Sequence, residues 1–209
     1  MELIKVKDKK ELRNIIEEWK IDLSTIDVSW ITNMDNLFNW IKDDINWSIS
    51  NWNTSRVKSM KWMFYNSTFN WDLSKWNISK VENMNWMFYC SNFNWNISKW
   101  DTWKVKDMGD MFCNSKFNWD ISLWNVSNVE NMDSMFSNSG FNNNISKWNT
   151  SKVKNMKCMF SHSKFTWDIQ KWDISSLKHI KWIFWWVEWK IDISKWNMKN
   201  IMDNLLYKL

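Results

Sequence analysis

Apolar and polar positions follow one another along this chain in a pattern that repeats every 24 residues. A tryptophan begins each unit, and the interval between these tryptophans does not vary: Trp52, Trp76, Trp100, Trp124, Trp148, Trp172 and Trp196. A fixed period of this length is typical of a solenoid, in which each unit buries its apolar face against the next. We therefore expect a repeat architecture without a second globular domain.

The first half of each unit carries the strongest apolar pattern. With the boundary Trp counted as position 1, positions 6 and 9 are Val and Met, and positions 12 and 13 are Met-Phe, in five successive units. These spacings predict a short helix or 3-10 turn with one buried stripe. The second half, F-N-x-D-I-S-x-W, predicts a turn that enters a very short parallel strand.

A column of asparagines lies inside the predicted turn. Stacked Asn side chains can bond backbone groups that such a turn would otherwise leave without a partner. The column comprises Asn46, Asn70, Asn94, Asn118 and Asn142.

The ends of the chain depart from the repeat. Residues 9–19 have the spacing of a short amphipathic helix, so we assign residues 1–21 to an N-terminal helical cap. Residues 22–195 form the predicted solenoid, seven full repeats preceded by a partial one. Residues 196–209 form a predicted C-terminal cap, in which the apolar spacing again favours a helix: Ile201, Leu205, Leu206 and Leu209.

Composition excludes several classes of protein. No apolar run is long enough to span a bilayer, and the N-terminus has no secretory signal, so we expect a cytoplasmic location if the sequence is complete. The net charge of +5 is too small by itself to indicate nucleic-acid binding. Cys90, Cys113 and Cys158 are odd in number and form no CxxC pair, which predicts free thiols.

The run S-x-V-x-x-M-x-x-M-F-x-N-S-x-F-N-x-D-I-S-x-W resembles the repeat of the BspA-like leucine-rich-repeat surface proteins of bacteria, over residues 22–196. The resemblance implies a leucine-rich-repeat-like solenoid, with short parallel strands alternating with short helical or 3-10 turns and helical caps at both ends. It also implies a cell-surface location, and adhesion or binding to host proteins. It transfers no binding residue, because the matched columns are structural.

Tryptophan departs from this resemblance. The chain has 22 Trp and two Gly, and the Trp of the turn occupy a position where the family tends to have Gly or Gln. The Trp before the Phe pair occupy another position that favours small residues. Glycine is expected in tight solenoid turns because only Gly adopts positive φ at little cost. Two explanations stay open: a true Trp ladder on the turn face, or codons that the source organism reads as glycine. The intact mass of the native protein distinguishes them. The residues concerned include Trp47, Trp71, Trp95, Trp119 and Trp167 in the turn, Trp62, Trp86 and Trp182 before the Phe pair, and Trp185, Trp186 and Trp189.

No arrangement of residues points to catalysis or to a metal. His162 and His179 lie in different columns, and Gly109 and Gly140 stand alone, so neither a triad nor a phosphate-binding loop is indicated. The cysteines fall short of the four ligands of a structural zinc site. We expect no enzyme, no catalytic residue, no cofactor and no metal.

Two surface columns are candidate binding sites. Position 24 carries a basic stripe that suits an anionic partner: Lys75, Lys99, Lys147, Lys171 and Lys195. A solvated edge is the simpler explanation, with its charge offset by Asp72, Asp120, Asp168 and Asp192. Position 20 carries aromatic rings that suit sugars or an apolar protein partner: Trp71, Trp95, Trp119 and Trp167.

We therefore predict a non-enzymatic, monomeric scaffold that binds or adheres to a protein partner through an extended solenoid face. Carbohydrate binding through the Trp column and anion binding through the Lys stripe are the alternatives. No nucleic acid and no transmembrane segment are expected.

Overall fold

The computed structural model describes residues 3–18, 21–42, 49–188 and 191–201. Strand β1 (Ile4–Lys5) is followed by helix α1 (Lys9–Glu18) and by strand β2 (Ile26–Asp27), which pairs in parallel with β1. The helix predicted for residues 9–19 is thus present, with Trp19 outside the described residues.

Local interactions explain why α1 begins and packs as it does. The Asp8 side chain accepts a hydrogen bond of 2.9 Å from the backbone N–H of Glu11, as a helix N-cap does. Leu12 and Ile16 lie one turn apart on one face and are fully buried. The helix therefore covers the first repeat with its apolar face.

Short 3-10 helices lie on either side of the repeats, at Leu23–Thr25 and Met198–Asn200. The C-terminal cap predicted for residues 196–209 is described only as far as Ile201. Leu205, Leu206 and Leu209 lie outside the described residues.

Equivalent residues of successive repeats pair in parallel, each through a single bridge at position 8. The sequence pattern placed the short strands in the second half of the unit, and that placement is wrong, because these bridges lie in the first half. The bridges link Asn33, Ser59, Asn83, Asp107, Asn131, Asn155 and His179 in that order.

Backbone hydrogen bonds between positions 9 and 16 alternate between two kinds of partner. The N–H groups of Met60, Trp62 and Phe64 donate to carbonyls of the next repeat at 2.9–3.0 Å. The N–H groups between them donate to the carbonyl three residues earlier, as in Met63 to Met60 and Tyr65 to Trp62. Every N–H from position 9 to position 15 of this repeat therefore has a partner. The partner is a backbone carbonyl in each case but one, since the N–H of Lys61 donates to the side chain of Asp35 at 2.8 Å.

This path requires left-handed backbone at two positions of every repeat. Among the residues that the structure describes, all 14 with positive φ lie at position 11 or 15, with φ between 50° and 63°. The helix or helical turn predicted for the first half is therefore replaced by a chain of single turns, since a left-handed residue ends a right-handed helix. Five of the 14 are tryptophans: Trp40, Trp62, Trp86, Trp182 and Trp186.

Glycine is absent from these left-handed positions, since neither Gly109 nor Gly140 has positive φ. The described turn tryptophans, Trp71, Trp95, Trp119 and Trp167, have no positive φ either, so the expectation that this turn needs glycine for a positive φ is wrong at these residues. The need for a positive φ arises at positions 11 and 15 instead.

Columns of stacked aromatic rings fill the core. The position 13 rings of Phe64 and Phe88 lie 5.4 Å apart with planes at 1°, and the other neighbouring pairs in this column lie 5.3–5.9 Å apart. A second Phe at position 18 packs on the position 13 ring of its own repeat, as Phe93 does on Phe88 at 4.1 Å. Both columns are buried, apart from the last ring of the position 13 column, Phe184, which is half-buried.

The boundary tryptophans belong to this core, as expected, and are only 3–7% exposed. Each indole N–H also donates to a backbone carbonyl near the end of an earlier repeat, for example Trp100 to Leu73 at 3.1 Å and Trp124 to Ile97 at 3.1 Å. A buried Trp needs such a partner, because its N–H cannot remain unpaired at low cost.

The Asn column of the second half acts as expected. The side-chain oxygens of Asn70, Asn94 and Asn118 accept hydrogen bonds of 2.9–3.2 Å from the backbone N–H one repeat later. Asn46 lies outside the described residues. These bonds explain why the strand predicted in the second half does not form there. The second half joins its neighbour through Asn side chains rather than through a backbone ladder.

We predict that glycine is tolerated better at a left-handed Trp than at another exposed Trp. Trp186→Gly is expected to leave stability unchanged or to raise the free energy of unfolding by up to about 2 kcal/mol, since left-handed backbone costs other residues about 1–2 kcal/mol. Trp103→Gly, at an exposed Trp without positive φ, should lower it by about 0.5–1 kcal/mol. Urea denaturation of both variants measures the difference, and equal destabilisation would contradict it.

Candidate binding face

The turn tryptophans form a regular column with partly exposed rings. Trp71, Trp95, Trp119 and Trp167 are each 40–43% exposed. The indole N–H groups of Trp95, Trp119 and Trp167 donate to the backbone carbonyl of the Asn one repeat earlier, at 2.8–3.2 Å. This bond fixes the edge of each ring and leaves part of its surface open to solvent. Trp47 lies outside the described residues.

Asparagine replaces tryptophan in one repeat of this column. Asn143 donates from its side-chain amide to the carbonyl of Asn118 at 3.0 Å, the same type of bond that its Trp neighbours make. An Asn at position 20 therefore preserves the connection between repeats and removes the ring.

The Lys stripe and the Trp column line the same clefts. Lys75, Lys99, Trp95 and Trp119 all line one cleft of about 500 Å³. A second, of about 270 Å³, includes Lys147 and Trp167. We call the surface made by these two columns the Trp–Lys face: Trp71, Trp95, Trp119 and Trp167 with Lys75, Lys99, Lys147, Lys171 and Lys195.

The two columns do not meet along their whole length. Lys195 lines a different cleft, beside the buried Trp172 and Trp196. Leu123 interrupts the stripe and is 84% exposed, an apolar side chain among cations. The lysines and tryptophans of the Trp–Lys face are therefore most concentrated around Trp95 and Trp119.

The carboxylates beside the stripe bond their own turns. Asp72, Asp120 and Asp168 each accept a hydrogen bond of 2.8 Å from the backbone N–H two residues later. Within the described ranges, none of them forms an ion pair with the Lys stripe. The five lysines are exposed and remain open to a partner.

A second aromatic cluster escaped the sequence analysis. Tyr65 and Tyr89 stack at 5.0 Å with planes at 5°, and Trp86 lies 4.5 Å from Tyr89. Trp40 and Trp62 complete a cleft of about 360 Å³ around Tyr65. The available signal was the column of Tyr at position 14, three residues after Trp at position 11.

Residues 8–118 and 113–207 both match the family described as "Mycoplasma protein of unknown function, DUF285". The chain belongs to this family. No curated protein and no solved structure matches it. Both DUF285 matches include several of the stacked repeats, so the Trp–Lys face lies within the family region.

The described part of this DUF285 chain contains no group of three or more His, Cys, Asp and Glu side chains placed to hold a metal. Cys90, Cys113 and Cys158 are free thiols, as expected. Burial raises the pKa of the Cys113 thiol to about 12. Among the helices described, none is long and apolar enough to cross a membrane.

One carboxyl group has a strongly shifted pKa. Burial, and to a smaller extent the nearby carboxylates of Asp133 and Asp107, together raise the pKa of Asp110 to about 7. Asp110 lies at position 11, where its backbone is left-handed. Its ionisation is therefore unfavourable in the folded state.

We predict that this group makes the fold less stable as pH rises. Between its ordinary pKa of 3.8 and about 7, the folded state keeps a proton that the unfolded state has lost, so the free energy of unfolding falls with rising pH. Asp110→Asn should reduce this fall and raise the denaturation midpoint at pH 8. Asp101→Asn is the control, because Asn occupies the same position at Asn77 and Asn125. Identical pH profiles for the two variants would contradict the assignment.

Proposed function

We propose that this DUF285 protein is a non-enzymatic scaffold that binds a protein partner through the Trp–Lys face. In this proposal the stacked repeats form a leucine-rich-repeat-like solenoid, and the chain acts as a BspA-like bacterial surface protein in adhesion. The family match and the repeat-to-repeat hydrogen bonds support it.

The observation that carries the proposal is the row of fixed, half-exposed indole rings. From Trp71 to Trp167 the column crosses four repeat intervals, about 19 Å at the usual spacing between strands. Trp is enriched among the residues that contribute most to protein–protein binding, because a large rigid ring buries much area at small entropic cost. The N–H bonds of Trp95 and Trp119 hold their rings in place before a partner binds.

The lysines around these rings would favour a partner that carries negative charge. Lys75 and Lys99 line the same cleft as Trp95 and Trp119, and none of their ammonium groups is neutralised by an ion pair within the described residues. A partner with apolar side chains bordered by carboxylates would satisfy both columns.

The test removes rings without removing the bond between repeats. Trp95→Asn with Trp119→Asn should weaken binding to an immobilised matrix protein, with fibronectin, laminin and collagen as the panel, by at least about tenfold, because two central aromatic contacts are lost. Asn143 is the precedent that Asn keeps the hydrogen bond, so the variant should remain folded by circular dichroism.

The reciprocal variant is the matched control. Asn143→Trp fills the gap in the column and should strengthen the same interaction. No binding to any protein of the panel, or equal binding by the parent and the double variant, would contradict the proposal.

Carbohydrate binding is the second candidate, favoured by the size and lining of one cleft. Beside Trp95 and Trp119 it presents Asp72, Ser74 and Asn96, polar groups that can bond sugar hydroxyls next to a stacking ring. Glycan-array binding with quenching of Trp fluorescence tests it. If a glycan binds and no protein of the panel does, carbohydrate binding replaces protein binding as the first candidate function.

A further inference from the structure

Two exposed columns outside the Trp–Lys face carry a concentration of positive charge. We call them the basic ladder. It lies at positions 5 and 7, next to the parallel bridges at position 8. Its cationic members are Arg56, Lys58, Lys80, Lys104, Lys106, Lys152, Lys154 and Lys178.

The net positive charge of the basic ladder exceeds that of the whole chain. Its eight cations face two carboxylates in the same columns, Glu82 and Glu130, an excess of six against a net charge of +5 for all 209 residues. Neither the net charge of the chain nor the position 24 stripe reveals this concentration.

The backbone fixes the spacing of these charges. At position 7, Glu82 donates its N–H to the carbonyl of Lys58 and Lys106 donates to that of Glu82, at 2.8 and 2.9 Å. The same bond recurs in each following repeat as far as Lys178. Side chains in one column therefore repeat at about the strand spacing of 4.8 Å.

Charge alternates along position 7. The column runs Lys58, Glu82, Lys106, Glu130 and Lys154, so over this stretch like charges recur every second repeat, about 10 Å apart. Lys178 follows Lys154 and ends the alternation. Two ion pairs form within this column, Lys106 to Glu82 at 2.8 Å and Lys154 to Glu130 at 2.6 Å. Exposed pairs of this kind contribute little to stability, so their groups are available to a ligand.

Position 5 adds cations beside this alternating column. Arg56, Lys80, Lys104 and Lys152 are exposed and form no ion pair within the described residues. Lys152 instead donates to the side-chain oxygen of Asn128 at 2.6 Å. A ligand along the ladder would therefore meet two columns: a cationic one that Asn128 interrupts between Lys104 and Lys152, and one of alternating charge.

Acidic polysaccharides suit this arrangement better than other polyanions. Lys and Arg groups can bind carboxylates, while the oxygens of Glu82, Asn128 and Glu130 can accept hydrogen bonds from hydroxyl groups. A nucleic acid offers a phosphate at every unit, which the two carboxylates would repel. The two columns also contain no aromatic ring from Arg56 to Lys178 on which a base could stack.

We propose that the basic ladder binds a linear polysaccharide in which uronate units alternate with neutral sugar units. The two-repeat alternation of charge matches an alternating disaccharide, with uronates on the cations and neutral hydroxyls on the Glu side chains. This site is independent of the Trp–Lys face, because it uses positions 5 and 7 rather than positions 20 and 24.

The test measures binding of hyaluronan to the full chain by titration calorimetry. The triple variant Lys80→Gln, Lys104→Gln, Lys152→Gln should weaken binding at least about tenfold, since attraction to a polyanion depends on this local potential. The control Lys75→Gln, Lys99→Gln, Lys147→Gln removes the same charge from the Trp–Lys face and should change the affinity less than threefold. All substituted lysines are exposed, so both variants should fold as the parent does.

A second pair of measurements separates sugar recognition from general attraction. Glu82→Gln with Glu130→Gln should strengthen binding to polyglutamate, by removing repulsion, but should not strengthen binding to hyaluronan. Absence of hyaluronan binding, equal losses in the two triple variants, or equally tight binding of single-stranded DNA or polyglutamate by the parent would overturn the proposal. None of these results bears on the matrix-protein panel that tests the Trp–Lys face.

Discussion

Alternating backbone hydrogen bonds between positions 9 and 16 are the interaction on which the rest of the structure depends. N–H groups at odd positions bond the next repeat, and those at even positions mostly bond a carbonyl three residues earlier. This division satisfies the backbone without a helix or an extended strand, and it needs left-handed residues at positions 11 and 15. It also brings the Phe rings of position 13 into one stacked column.

Because every repeat follows the same path, each exposed position becomes a straight column with fixed spacing. Function then depends on which side chains occupy which column, and changes there leave the core untouched. The Trp–Lys face and the basic ladder use different columns of one frame. Trp95 and Lys104 show the consequence: nine residues apart in sequence, they belong to separate surfaces with separate proposed ligands.

Much of the core could be predicted from the sequence, and the backbone path could not. Trp76, Val81 and Met84 recur at a fixed interval because the core repeats, so their burial follows from periodicity. The left-handed positions gave no such signal, since they hold residues such as Asn66, Cys90 and Trp182 where glycine would have marked them. The basic ladder was missed because its charge alternates between repeats, so no single column appeared uniformly basic.

We infer that each repeat is an equivalent unit that keeps its register with the next through these backbone hydrogen bonds. The crystal structure of a variant lacking residues 100–123 tests it most directly, because the deletion joins Lys99 to Trp124 and keeps the sequence in phase. We expect this structure to show a shorter stack, in which Asn83 pairs in parallel with Asn131 and the Phe88 ring stacks on Phe136. A folded chain without that bridge, or a chain that no longer folds, would contradict it.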